Sequence, residues 1–201
     1  MSLEIYIGPM FAGKTTKLMT MYNENSNPNK VVIDYDIGDK KYCNEVSFKP
    51  LLNHDYQKID TTYKTQQLCN LKKEENYQLF SKDVSMYYYN MFINSDDIYI
   101  NECQFFPDLY HFVLEMLRYG KHIKLYGLDA DFKQKKFGEV FDLIPYCTHL
   151  EKITGKCQHC ENKSIVSHRT TANKEVYLPD ANMYIPLCLD CRNDAEQIMS
   201  I

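Results

Sequence analysis

The sequence predicts an α/β fold with a central parallel sheet and a small metal-binding subdomain near the carboxyl end. Short apolar runs recur with intervening stretches long enough for crossover connections, and they cover residues 3–7, 31–35, 98–100 and 123–128. A glycine-rich loop separates the first run from a segment, residues 16–22, that can form a helix. Two pairs of closely spaced cysteines follow later in the chain. Together these observations favour alternating strands and helices, followed by a part that binds a metal ion.

Length and composition limit the classes of protein to which the chain can belong. Its 201 residues, 44% of them apolar and 25% charged, are sufficient for one domain or for one domain with a small appendage. The formal net charge of −4 argues against a broad nucleic-acid-binding face, because such a face needs clustered positive charge. No apolar run reaches about 18 residues and no basic and apolar leader is visible, so we expect a cytoplasmic protein that binds no membrane.

A helix is predicted between the third and fourth apolar runs. Apolar residues recur there at helical spacing, and they are Leu109, Phe112, Val113, Met116 and Leu117. Gly120 follows them as a suitable C-cap. Further helices are expected near residues 65–75 and 78–92, in a more polar part of the sequence.

The loop from Gly8 to Thr15 has the spacing G-x-x-x-x-G-K-[ST], which is typical of phosphate-binding loops. Glycines let the backbone N–H groups converge on a polyanion. Lys14 is predicted to contact the β- and γ-phosphates, and Thr15 to offer its hydroxyl to Mg²⁺. The alternative is a glycine-containing surface turn, which the preceding strand and the following helix make less favourable.

The two C-x-x-C pairs predict a Zn²⁺ site, because four thiolates fill a tetrahedral coordination sphere and leave no position for water. Such a closed site is structural, and its ligands here are Cys157, Cys160, Cys188 and Cys191. Redox-active pairs and unrelated buried cysteines are the alternatives. The composition changes after Pro145, which predicts a larger domain over residues 1–146 and a zinc-binding subdomain over residues 147–201.

The third apolar run ends in Asn101 and Glu102. A carboxylate at the end of such a strand points at the nucleotide of a phosphate-binding loop. Glu102 would orient water in an ATPase or accept the proton of the attacking hydroxyl in a kinase, and the alternative is a carboxylate that only caps the strand. Asn101 stands where an aspartate commonly supports Mg²⁺, and as a neutral group it offers only a carbonyl oxygen or a hydrogen bond to a metal-bound water.

Taken in order, these motifs resemble the type II thymidine kinases of animals, bacteria and large DNA viruses. The similar segments are residues 8–15, residues 101–106, residues 127–132 with Phe137 and Gly138, and the two cysteine pairs. The resemblance implies a RecA-like domain that uses Mg²⁺ and transfers the ATP γ-phosphoryl group to the 5′-hydroxyl of thymidine in nucleotide salvage. It further implies a zinc-held lasso loop over the nucleoside, a homotetramer, and feedback inhibition by thymidine triphosphate.

The resemblance implies that Glu102 is the general base. It also implies a set of residues that face ATP and Mg²⁺: Gly8, Pro9, Met10, Phe11, Ala12, Gly13, Lys14, Thr15, Asp39, Lys41, Asn101, Gln104 and Lys133. Lys41 stands where the family has an arginine, so an ammonium group replaces a guanidinium that could donate two parallel hydrogen bonds to phosphate. For Lys133 the alternative is a solvated lysine near Lys135 and Lys136.

A second set of residues is implied on the nucleoside side: Met10, Phe105, Leu128, Phe132, Ser167, Glu175, Val176, Tyr177, Leu178, Pro179 and Tyr184. Phe132 corresponds to the ring that packs on thymine, and residues 175–179 to the lasso backbone that binds the base edge. For Tyr177 and Tyr184 the alternative is an ordinary aromatic role. Pro179 and Asp180 replace a glycine pair, which leaves a different path of the lasso open.

Three other functions remain to be compared with a thymidine kinase. A catalytically impaired, regulatory nucleotide-binding relative is possible if Asn101 abolishes the support of Mg²⁺, although Lys14, Thr15, Asp39 and Glu102 are retained in type. A GTPase or motor would need an N-K-x-D guanine reader or an arginine supplied in trans, and no N-K-x-D occurs in the sequence. A zinc-ribbon nucleic-acid binder is disfavoured by the net charge.

Overall fold

The chain is centred on a parallel sheet of six strands. The computed structural model describes residues 1–35, 62–65, 92–171 and 183–199. The strands are β1 (Ser2–Ile7), β2 (Lys30–Tyr35), β3 (Thr62–Thr65), β4 (Asp97–Ile100), β5 (His122–Gly127) and β6 (His149–Lys152). Their spatial order is β3-β2-β4-β5-β1-β6. The predicted α/β class with a parallel sheet is therefore confirmed.

Two helices cover the two faces of this sheet. They are α1 (Lys14–Glu24) and α2 (Leu109–Arg118). On one face, apolar side chains of β1, β2, β4 and β5 pack against Leu109, Phe112, Val113 and Met116 of α2. On the other face, Tyr6, Val32, Tyr99 and Tyr126 pack against Leu18 and Met19 of α1. Because strand side chains alternate between faces, each strand contributes to both layers, and each fully buried large side chain stabilises the fold by roughly 1.5–3 kcal/mol.

The predicted helix between the third and fourth apolar runs is α2, and its ends have identifiable causes. At the start, the Glu139 carboxylate accepts a hydrogen bond from the backbone N–H of Tyr110 at 2.8 Å. At the end, Gly120 has a φ of 78° and its N–H donates to the Leu117 carbonyl at 2.9 Å. The N–H of Lys121 then donates to the Met116 carbonyl at 3.1 Å, which completes a Schellman motif. The glycine is therefore the C-cap that the sequence predicts.

A smaller part follows β6 and consists of short strands and one helix. Its elements are β7 (Gly155–Lys156), β8 (Lys163–Ser164), β9 (Val166–Arg169), β10 (Tyr184–Leu187) and α3 (Leu189–Met199). The strands form two antiparallel pairs, β7 with β8 and β9 with β10. β6 pairs with β1 in the main sheet. The division into residues 1–146 and 147–201 stays a prediction, and the strands of the small sheets begin after Lys152.

Two further helices are predicted in the more polar part of the sequence. Those near residues 65–75 and 78–92 fall almost entirely outside the described part of the chain. Within the described ranges, no helix combines the length and the apolar character needed to cross a membrane.

Candidate active site

The glycine-rich loop joins the carboxyl end of β1 to the first turn of α1, which is the strand, loop and helix order that the motif predicts. The N–H of Gly8 donates to the Gly127 carbonyl at 3.2 Å and ties the loop to the end of β5. A Cβ at Gly8 would overlap the Ile153 carbonyl oxygen, and Gly13, with a φ of 88°, is the N-cap of α1. Both glycines are thus required by the path of the loop.

Lys14 is buried inside the loop, with 9% of its surface exposed. Its Nζ donates to the Pro9 carbonyl at 2.7 Å. Burial lowers the pKa of Lys14, and the nearby charges of Glu102 and Asp129 act in the opposite direction. The ammonium therefore lies inside the loop at the N-terminus of α1, where the unpaired N–H groups of the first turn also attract anions. Thr15, next along the helix, is exposed.

Glu102 follows β4 directly and has a left-handed backbone with a φ of 50°, after which Cys103–Phe105 form one 3₁₀ turn. A left-handed conformation costs a non-glycine residue roughly 1–2 kcal/mol. The Glu102 carboxylate accepts a hydrogen bond from Gln104 Nε2 at 2.7 Å. Gln104 Oε1 in turn accepts one from the Leu128 N–H at 2.9 Å. Gln104 therefore fixes the orientation of Glu102 relative to the end of β5.

Two glycines leave room for Gln104, whose side chain is buried. A Cβ at Gly127 would lie 2.5 Å from Gln104 Oε1 and equally close to the Cys103 Sγ. Gly138 has a φ of 67°, and a Cβ there would overlap the Gln104 carbonyl. The sequence shows Gln104 only as part of the segment 101–106, and it does not indicate that the side chain is enclosed.

Two groups of aromatic rings form around the predicted nucleoside residues Phe105 and Phe132. Phe105 contacts Phe137 and Tyr35, with ring centroids 5.3 and 5.1 Å away. Phe132 lies under the Arg169 guanidinium, whose Cζ is 3.6 Å from the ring centroid. Phe105 and Phe132 are predicted nucleoside contacts, whereas no site role was predicted for Phe137, Tyr35 and Arg169. Phe137 belongs to a motif of the resemblance and Tyr35 ends the second apolar run, but neither pattern indicates that these side chains contact Phe105.

Arg169 is buried and connects two predicted nucleoside residues. Its guanidinium donates a hydrogen bond to the Tyr184 hydroxyl and lies 5.0 Å from the centroid of the Tyr184 ring. The guanidinium also contacts the ring of Phe132. Arg169 therefore connects β9, β10 and the segment after β5. Stacked guanidinium contacts of this kind stabilise ring orientation by about 0.5–2 kcal/mol.

Ser167 on β9 links the smaller part of the chain to the glycine-rich loop. Its Oγ accepts a hydrogen bond from the Met10 N–H at 2.8 Å. A second close approach occurs at Gly155, where a Cβ would lie 3.2 Å from the Phe11 carbonyl oxygen. The loop predicted to bind phosphate and the strand predicted to contact the nucleoside are therefore neighbours.

Asn101 is buried at the end of β4 and pairs with a residue that sequence reasoning missed. Its Nδ2 donates to the Asp34 Oδ1 at 3.1 Å. The two residues are adjacent because the β2–β4 register aligns Ile33 with Ile100. Asp34 escaped notice because it lies within an apolar run, and only strand pairing brings it to the site.

Lys133 lies on the surface beside the ring of Phe132, with its Nζ 5.2 Å from the ring centroid. Its backbone N–H donates to the Asp131 carboxylate at 2.8 Å, as part of the turn after β5. Phosphate contact and simple solvation both remain compatible with this position. The role of Lys133 at the transferred phosphoryl group stays a prediction.

The four cysteines of the two C-x-x-C pairs come together, with their Sγ atoms all within 4.8 Å of one another. Cys160 Sγ and Cys188 Sγ are 3.7 Å apart. A tetrahedral Zn²⁺ with bonds of about 2.3 Å would separate its sulfur ligands by roughly 3.8 Å. Burial opposes ionisation of Cys157, yet backbone hydrogen bonds from Cys188, His159 and Cys160 outweigh it and lower the pKa of this thiol to about 6. The donor set therefore fits the predicted metal.

Seven predicted site residues lie outside the described part of the chain. They are Asp39, Lys41, Glu175, Val176, Tyr177, Leu178 and Pro179. Their roles stay predictions.

Comparison with known proteins gives a consistent result. The family model described as thymidine kinase matches residues 1–192. A thymidine kinase of Amsacta moorei entomopoxvirus is 32% identical over 200 residues, which cover 97% of this chain and 100% of the viral protein. A thymidine kinase of Choristoneura biennis entomopoxvirus is 31% identical over 98% of this chain and 100% of its own length. Thymidine kinase 1 of Dictyostelium discoideum is 29% identical over 95% of this chain and 77% of its own length.

Proposed function

This chain belongs to the thymidine kinase family, and we propose that it transfers the γ-phosphoryl group of ATP to the 5′-hydroxyl of thymidine. The observation that carries the proposal is a buried lysine in a phosphate-type loop, together with a carboxylate at the end of β4 that a hydrogen bond holds in place. The charge of Glu102 acts on Lys14, and Glu102 is itself held by Gln104. Phosphoryl transfer depends mainly on positioning and on neutralising charge, which such an arrangement supplies.

On the phosphate side, the residues Gly8, Pro9, Met10, Phe11, Ala12, Gly13, Lys14 and Thr15 enclose the triphosphate. The N-terminus of α1 and the Lys14 ammonium stabilise its negative charge. The Thr15 hydroxyl is exposed at the first turn of α1, where it can ligate Mg²⁺. Bound Mg²⁺ supplies neutralisation of the charge that develops on the phosphate oxygens. Asp39, Lys41 and Lys133 are proposed to assist on this side.

On the acceptor side, Glu102 is the general base. It accepts the proton of the 5′-hydroxyl as the oxygen bonds to the γ-phosphorus, while the bond from that phosphorus to the β,γ-bridging oxygen breaks and ADP leaves. Its hydrogen bond from Gln104 keeps one carboxylate oxygen oriented, so the other can face the hydroxyl. The base and sugar are proposed to contact Met10, Phe105, Leu128, Phe132, Ser167 and Tyr184, with the backbone of residues 175–179 at the base edge. Aromatic walls with a few polar groups suit a nucleobase.

The four-cysteine cluster is proposed to hold a structural Zn²⁺. Its closed donor set leaves no position for substrate, so the metal acts by stabilising β9 and β10 rather than by chemistry. Ser167 and Tyr184 lie on these two strands. Zinc therefore maintains the nucleoside side of the site from a distance. Thymidine monophosphate formation in nucleotide salvage, a cytoplasmic location, a homotetramer and inhibition by thymidine triphosphate complete the proposal, and each rests on the family resemblance.

A nucleoside panel tests this function. Purified protein, Mg²⁺ and ATP labelled in the γ-phosphate are incubated with thymidine, cytidine and purine nucleosides, and the products are separated. We expect label on thymidine alone. Tight ATP binding without transfer to any nucleoside would contradict the proposal and favour a regulatory nucleotide-binding relative.

A further inference from the structure

We propose that Asp34 supplies the acidic group that supports the divalent cation of the phosphate site, and that Asn101 positions this carboxylate. The inference rests on the proposed phosphoryl transfer and concerns residues at the ends of β2 and β4. It addresses a specific gap, because the position next to Glu102 carries an amide without charge. The structure shows that this amide is bonded to a carboxylate.

The first argument is the position of the pair in the sheet. Val32 and Tyr99 pack in the cluster that includes Leu18 and Met19 of α1. Side chains alternate along a strand, so Asp34, two residues after Val32, lies on this same face. Asn101, two residues after Tyr99, does likewise. The pair therefore lies at the carboxyl-terminal edge of the sheet on the face covered by α1, and α1 begins with Lys14 and Thr15.

The second argument is chemical. An amide can donate a hydrogen bond through Nδ2, but it carries no charge to balance a cation. Asn101 Nδ2 donates to Asp34 Oδ1, and the N–H of Tyr35 donates to the same oxygen at 3.0 Å. These two bonds fix the orientation of the carboxylate. Mg²⁺ retains several waters in proteins, and a carboxylate on the face that α1 covers can accept hydrogen bonds from them.

The third argument comes from the other described carboxylates at this edge. Asp129 forms an ion pair with Lys152 at 2.6 Å. Asp131 accepts hydrogen bonds from the backbone of Lys133 and Lys135. Glu102 is bonded to Gln104 and is assigned to the acceptor hydroxyl. Glu151, near the end of β6, also faces α1, where it forms an ion pair with Lys17 at 2.6 Å. Asp34 is the described carboxylate at a strand end to which Asn101 is bonded.

The test measures metal affinity rather than turnover. Mn²⁺ serves as the probe, and its free concentration is followed by electron paramagnetic resonance in the presence of the full chain and a non-hydrolysable ATP analogue. We expect Asp34→Asn to weaken Mn²⁺ binding by about 10- to 100-fold, the usual effect of removing an outer-shell partner of a metal. An affinity equal to that of the wild type would overturn the assignment.

Two further variants separate charge from structure. Asp96→Asn removes the carboxylate of a similar pair, in which Asn29 Nδ2 donates to Asp96 Oδ2 at 3.2 Å, at the opposite edge of the sheet. It changes the net charge equally, and we expect unchanged Mn²⁺ affinity. The double variant Asp34→Asn with Asn101→Asp returns one carboxylate to the pair and should restore binding. A double variant as weak as Asp34→Asn would assign the loss to a disturbed strand end and overturn the proposal.

Failure of this inference is distinguishable from failure of the proposed function. If the wild type phosphorylates thymidine and Asp34→Asn binds Mn²⁺ normally, only the role of Asp34 is wrong. If Mn²⁺ binding depends on Asp34 but no nucleoside is phosphorylated, the kinase function is wrong and the metal assignment stands. A wild type that binds no Mn²⁺ with the nucleotide analogue contradicts both.

Discussion

The six-stranded sheet and the cysteine-containing part after Lys152 are stabilised by different interactions. The sheet buries a continuous apolar cluster between its strands and α2, and a second one under α1. Among the described residues of the smaller part, the cluster has three buried members, Cys157, Leu187 and Cys188, and two of them are predicted metal ligands. We infer that hydrophobic burial positions the proposed phosphate side and the nucleoside contacts near the sheet, whereas ligation of the proposed Zn²⁺ would position Ser167 and Tyr184.

The largest effect is expected in the region stabilised by the sheet. Glu102→Gln removes the proposed base while keeping the side-chain volume. We therefore expect kcat to fall by a factor on the order of 10² to 10⁴. Steady-state kinetics with thymidine and ATP check this. The matched control is Glu161→Gln, which removes a carboxylate that is 86% exposed and paired with Lys156 at the surface. An unchanged kcat in Glu102→Gln would refute the role of the base.

The next effect is expected in the smaller part. Cys188→Ser, or treatment with a chelator, would remove the proposed Zn²⁺, and ligation of such a metal contributes about 10–16 kcal/mol in small structural sites. Amide hydrogen exchange should then accelerate in β9 and β10, while β1, β4 and β5 keep their protection. Cys147→Ser, which changes a cysteine outside the four-cysteine cluster, is the control. Uniform protection of both parts after zinc loss would contradict the difference between them.

A smaller loss should follow from Gln104→Leu, which retains most of the volume and removes two hydrogen bonds. The Leu128 N–H would lose its hydrogen-bond acceptor, and the Glu102 carboxylate would lose the donor that orients it. Leaving a buried polar group without a partner costs about 1–3 kcal/mol. We expect kcat to fall by roughly tenfold with little change in the KM for ATP. The exposed Gln158→Leu serves as control. Wild-type kcat in Gln104→Leu would show that Glu102 needs no such positioning.

The smallest effect tests the contact between the two parts. Ser167→Ala removes the hydrogen bond to the Met10 N–H, worth about 1 kcal/mol, so the KM for thymidine should rise by roughly fivefold. Ser164→Ala is the matched control, because the buried Ser164 Oγ has no hydrogen-bond partner among the described residues. Equal effects of the two variants would remove Ser167 from the nucleoside side.

Much of the sheet was predictable because apolar runs mark β1, β2, β4 and β5. Two strands were not. β6 is mostly exposed, with an alternation too weak to detect, and β3 consists of Thr62, Tyr63, Lys64 and Thr65 in a polar region. Both are edge strands, which need less apolar surface than central ones.

The candidate site likewise contains residues that the sequence predicts and residues that it does not. Spacing alone predicts the glycine-rich loop and the four-cysteine cluster, because each motif is local in sequence or repeats one spacing. Asp34 and Arg169 depend on strand register and on packing between distant segments, so no local pattern contains them. Gln104 belongs to a recognisable motif, but its two hydrogen bonds become apparent only when β4 and β5 lie side by side.

One measurement tests most directly whether zinc in the smaller part supports the binding of thymidine and not that of ATP. Thymidine and a non-hydrolysable ATP analogue are each titrated calorimetrically into the protein, before and after removal of zinc. We expect thymidine affinity to fall at least tenfold, equivalent to about 1.4 kcal/mol, while affinity for the ATP analogue stays the same. Equal losses for both ligands, or no loss for thymidine, would contradict the account.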